Sequence, residues 1–147
     1  MRENKGVAPL IIRKKERNTM IKTTGEQVLL YGIKDIEKER KIKSILIRMG
    51  VKIRNISTDL CGEKVGYLAG IRGFEPTSDI DNTRLPVEEE MLIMRGFTGP
   101  RLDTLLKEMR KANARVNLKA IITEHNQQWN LFELYEELKK EHESMNS

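Results

Sequence analysis

Two amphipathic stripes set sixty positions apart constrain this chain most. Ile42, Ile45, Leu46 and Met49 fall at i, i+3, i+4 and i+7, and Leu102, Leu105, Leu106 and Met109 repeat that spacing. The spacing places four apolar side chains on one face of a helix. Each stripe lies between two short apolar runs: 27–33 and 51–57 around the first, 91–97 and 115–123 around the second. Those runs read as strands. Asp35 suits the N-cap of the first helix, and Gly50 suits the position after its end, where a positive φ is needed. Pro100 suits a first helical turn after Thr98 or Gly99 as cap.

Each β-α-β unit then adds a helix. Leu131, Leu134, Tyr135, Leu138 and His142 lie on one side of a long one. The counterpart in residues 60–70 is weak, because Gly62, Gly66 and Gly70 each cost about 1 kcal/mol against alanine inside a helix. Runs 27–33 and 91–97 are nearly continuously apolar, as strands covered on both faces are. Runs 51–57 and 115–123 alternate more, as strands nearer an edge do. The expected fold is α/β: two βαβα-like repeats forming one four-stranded sheet, with helices on both faces and the first and third strands central. A ferredoxin-like βαββαβ with an extra C-terminal helix is the alternative, and the pattern leaves parallel or antiparallel pairing of the central strands open. The expected organisation is a basic arm over 1–24, a first unit over 25–73, an acidic linker over 74–90 and a second unit over 91–147. Met20 is an alternative start of translation, so residues 1–19 need not belong to the native protein.

With 147 residues and 38% hydrophobic content, the chain suffices for one modest core. It has no apolar run of membrane-spanning length, and the short apolar run of the arm is followed by basic residues, unlike an export signal. A cytoplasmic protein is the expectation. Charge is segregated. Residues 34–54 carry eight basic and three acidic side chains (+5), and residues 124–147 carry two and six (−4). Basic and acidic helices of two copies could therefore meet in a homo-oligomer. The arm (seven basic and two acidic residues over 1–24) and the first helix are also the best support for nucleic-acid binding. Against that reading, aromatics are only 5% of residues and no nucleic-acid-binding motif is present.

No catalytic set is recognisable. The chain has neither a nucleophile-elbow serine nor a zinc-binding helix motif, and its phosphate-loop and dinucleotide glycine spacings are wrong. The lone Cys61 excludes an internal disulfide. With His125 and His142 seventeen positions apart, no metal-ligand cluster is spaced correctly. No cofactor or metal is expected. Two stretches still hold candidates. At the end of the last strand lie Thr123, Glu124, His125 and Asn126, a polar cluster that could bind a ligand or use His125 as acid or base. Beyond them, Asn130 fits an N-cap with Glu133 closing a capping box, and Trp129 with Leu134 fits a hydrophobic staple. That structural role accounts for the tryptophan without a ligand. The second stretch, with Gly96, Gly99 and Arg101 at a strand-to-helix turn, could hold an anion on free backbone N–H groups; a tight turn is its plainer reading.

The C-terminal half carries a further pattern. Gly96-Phe97, Arg101-Leu102-Asp103, the strand ending at Thr123, Asn126 with Trp129, and Glu137 to His142 follow one another in order. In these features residues 91–143 resemble a small bacterial family, the domain of unknown function numbered 3783. The resemblance implies no activity, substrate or catalytic residue. It directs attention to Thr123, Asn126, Trp129 and His142. The leading expectation is a non-enzymatic domain binding a small ligand or a protein partner. A small enzyme using Glu124, His125 and Asn126 is one alternative, and nucleic-acid binding is the other.

Overall fold

A computed structural model describes residues 25–78 and 83–146. The arm over 1–24 and part of the linker lie outside the described residues. The first half runs β1 (Gln27–Tyr31), α1 (Ile36–Arg48), β2 (Lys52–Ile56), a 3-10 turn (Thr58–Leu60) and α2 (Val65–Leu68). The second half has the same order: β3 (Met91–Arg95), α3 (Gly99–Lys111), β4 (Leu118–Ile121), a 3-10 turn (Asn126–Gln128) and α4 (Leu131–Asn146).

Local chemistry sets the helix ends. Asp35 accepts from the Glu37 and Lys38 amides, and Thr98 accepts from the Arg101 amide. Pro100 sits in the first turn of α3, where its missing N–H costs nothing. Gly50 and Asn113 take positive φ just past α1 and α3, the conformation that ends a helix. α2 is a single turn. A Cβ on Gly66 would lie 2.6 Å from the Phe74 ring, so the glycine admits the ring against the backbone.

The four strands form one sheet in the order β2-β1-β3-β4. β1 and β3 are central and antiparallel, while each pairs in parallel with the second strand of its own half. β1–β2 and β3–β4 are therefore direct neighbours, and neither β-α-β unit is split as in the ferredoxin-like alternative. Every residue of β1 is buried, as its continuous apolar run requires. Alternate residues face two cores. On one side Val28, Leu30, Leu92 and Met94 pack with Ile42 and Leu46 of α1 and Leu105 and Met109 of α3. On the other, Leu29, Tyr31, Met91 and Ile93 pack with Val65 and Leu68 of α2 and Leu131, Leu134 and Leu138 of α4. The result is a three-layer α/β fold. Just before α2 and α4 the two halves are stitched together: the Val65 amide donates to the Trp129 carbonyl (2.8 Å) and the Leu131 amide to that of Cys61 (3.0 Å).

Buried polar groups have partners. Tyr31 is fully buried, and its hydroxyl donates to the Val87 carbonyl at 2.7 Å. With that proton committed, the Cys61 thiol donates to the phenol oxygen, 2.9 Å away. Burial first, then the bond to Cys61, pushes the phenol well above its ordinary pKa. Tyr31→Phe is expected to lower stability by about 1–3 kcal/mol, because it leaves a buried carbonyl and a thiol unsatisfied. Urea unfolding of the variant beside Cys61→Ala measures this; equal, negligible losses would mean the pair contributes nothing.

Candidate functional site

β4 is an outer strand, and no further strand lies beside it among the described residues. α3 rises along one side of that edge and α4 along the other. Between them runs a groove of about 400 Å³. Its α3 wall is apolar (Leu102, Leu106), its α4 wall carries Leu138 with Glu137 and Glu141, and β4 supplies Lys119 and Ile121. Ile121 is 45% exposed and belongs to this lining, whereas Ile36, Ile47 and Leu85, which are more exposed, do not. Thr123, His125, Asn126 and Trp129 close one end.

The closing loop is held by its own side chains. The Thr123 amide donates to Asn126 Oδ1 (2.8 Å), and the Asn126 amide donates back to Thr123 Oγ1 (3.0 Å). Asn126 Nδ2 also donates to the Ile121 carbonyl at 2.9 Å. These bonds fold 123–126 into a cap for the 3-10 turn, and they occupy the polar atoms of Thr123 and Asn126. His125 is exposed and packs edge-on to Trp129, with ring centroids 5.2 Å apart. Glu124 is exposed and does not line the groove. Of the four candidates, three border one cavity and Glu124 stands apart. At the start of α4 the Asn130 amide donates to Glu133 Oε1 (2.8 Å) and the Glu133 amide to Asn130 Oδ1 (2.9 Å), the two bonds of a capping box. Trp129 and Leu134 join the same core cluster beside it.

The strand-to-helix turn after β3 has a different occupant. Arg101 Nε and Nη2 donate to Glu26 Oε2 and Oε1 at 2.9 and 2.6 Å, and Nη2 also reaches the Met49 carbonyl. The bond to Glu26 holds the guanidinium above its ordinary pKa. Gly96 takes φ +83° beside the Gly25 backbone, and open space surrounds Gly99. The anion gripped by Arg101 thus belongs to the protein itself, 75 residues away in sequence.

Sequence reasoning did not find the groove walls. Glu137 and Glu141 are one helical turn apart, and Ile121 belongs to an alternating strand; only the strand order makes these face a common space. Lys119 Nζ donates to the Val116 carbonyl (2.8 Å). Burial first, then Arg115, lowers its pKa. The helical layers differ in charge. α1 carries five basic and two acidic residues (+3) and α3 four and two (+2), against two and five (−3) on α4. Among the described residues no group of three or more His, Cys, Asp or Glu could hold a metal ion, and no helix is long and apolar enough to cross a membrane.

Comparison with known proteins bears on the half that builds this groove. Residues 90–145 match the family model of DUF3783, a domain of unknown function. The matched segment covers β3, α3, β4 and all of α4 but its last residue, so it includes every residue named above as lining the groove. No curated protein and no solved structure matches the chain significantly.

Proposed function

We propose that this chain is a non-enzymatic binding domain whose ligand site is the groove beside β4. The observation that carries the reading is an edge strand with apolar and acidic walls on its two sides and an exposed isoleucine on its floor. A ligand with an apolar body and a cationic end fits those walls, the body against Leu102 and Leu106 and the charge toward Glu137 and Glu141. Binding is favoured over catalysis because Thr123 and Asn126 hydrogen-bond each other, and Glu124 does not line the cavity. Binding is also favoured over nucleic-acid recognition. Lys34, Lys38, Arg40 and Lys43, on and just before the basic helix, all pair with carboxylates, those of Glu88, Glu90, Glu37 and Glu39. The same reading takes the chain as a cytoplasmic bacterial protein with two related units, 25–73 and 91–147, joined by 74–90.

Trp129, the sole tryptophan, lines the groove and reports on it. Titration with a panel of small amphipathic amines is expected to change its emission saturably for some members. Ile121→Lys, at an exposed position, should weaken that binding about tenfold or more by placing a like charge in the apolar floor. Saturable binding that ignores Ile121→Lys would move the site elsewhere, and turnover abolished by His125→Ala would replace binding with catalysis.

A further inference from the structure

We infer that the occupant of this groove is an extended peptide whose side chains alternate between apolar and cationic, added to the sheet as a fifth strand beside β4. The inference rests on the groove being the binding site and goes further by naming its ligand.

Backbone direction is the first support. The Ile122 amide donates to the Met94 carbonyl (2.8 Å), so Ile122 faces β3. In a parallel ladder alternate residues face alternate edges, which turns Lys119 and Ile121 outward. The Ile121 carbonyl is taken by Asn126 Nδ2, approaching from that outer side. The Lys119 N–H and C=O and the Ile121 N–H then point into the groove, in the pattern an added strand pairs with.

The walls supply the alternation. Successive side chains of an added strand point to opposite sheet faces. Those on the α3 side meet Leu102, Leu106 and Ile121; those on the α4 side meet Glu141 and Glu137, the latter also paired with Lys140 at 3.2 Å, together with Leu138. Lys119 contributes little repulsion there, since its ammonium folds onto the Val116 and Asn117 carbonyls. A second copy of the chain fits less well. Two β4 edges pairing antiparallel across a two-fold axis normal to the sheet would set one acidic α4 beside another.

The test uses the full chain and fluorescence anisotropy of a labelled six-residue peptide alternating lysine and valine. It is expected to bind and to shift Trp129 emission. The matching glutamate–valine peptide should bind at least about tenfold more weakly. N-methylation of every second backbone nitrogen, made in both registers, should weaken the parent peptide at least about tenfold in one register, by removing the paired N–H groups. Glu137→Gln combined with Glu141→Gln should cost about three- to tenfold. Equal binding by the glutamate–valine peptide, or by both methylated peptides, would overturn the inference. If small amines still bind the groove in that case, the groove reading stands and strand addition alone fails; if nothing binds, both fail. A concentration-dependent dimer, abolished by Ile121→Lys and indifferent to the peptide, would name a second copy as occupant and overturn it as well.

Discussion

Leu46→Ala is expected to cost about 2–5 kcal/mol of stability, and Leu106→Ala less than half as much, although the two leucines hold the same place in their stripes. Leu46 is fully buried under β1 and against α3, so truncation leaves a cavity that the rigid sheet cannot close. Leu106 is only partly buried and lines the groove beside β4. Its lost methyl groups already border open space, so little cavity is created. Ile42 and Leu102 form a second such pair, fully buried against partly buried. Urea unfolding of both leucine variants, with the slope checked for constancy, reads the difference. Equal losses would mean that the groove closes over Leu106 in solution, which would remove the space the proposed ligand needs.

That comparison shows what a sequence can carry. The two stripes, their caps and the central position of β1 and β3 were legible because each depends on residues close in the chain or on burial from both faces. The capping box at Asn130 and Glu133 is local in the same way. The groove was not legible. It exists because β4 has a neighbour on one side only, and strand order is a long-range property that alternation merely hints at. The Arg101–Glu26 pair shows the same limit. An arginine near a helix start suggests an anion, and only the antiparallel register of β1 and β3 reveals that the anion is Glu26. The weak helix at Val65–Leu68 was half legible. Its glycines predicted weakness, but the reason for Gly66 lies in Phe74, which arrives from outside the helix.

Gly96→Ala is expected to destabilise the protein by more than about 2 kcal/mol, whereas Gly99→Ala, three residues on, should be neutral or stabilising by up to about 1 kcal/mol. Gly96 has φ +83°, a conformation costly for any residue with a Cβ. That Cβ would also stand 2.6 Å from the Gly25 carbonyl oxygen, a backbone atom that no rotamer change can move. The backbone would have to retreat at the start of β1, next to Glu26. Glu26 is only 4% exposed and pairs there with Arg101. The substitution therefore combines backbone strain with a weakened grip on a buried carboxylate. Gly99 is the first residue of α3, has an ordinary φ and meets nothing within 4 Å, so alanine there only restricts the unfolded chain. Thermal unfolding of the two variants side by side separates the effects. If Gly96→Ala matched Gly99→Ala, the β1 start would be free to yield, and the Glu26–Arg101 pair could not be what fixes the end of the sheet beside which the groove opens.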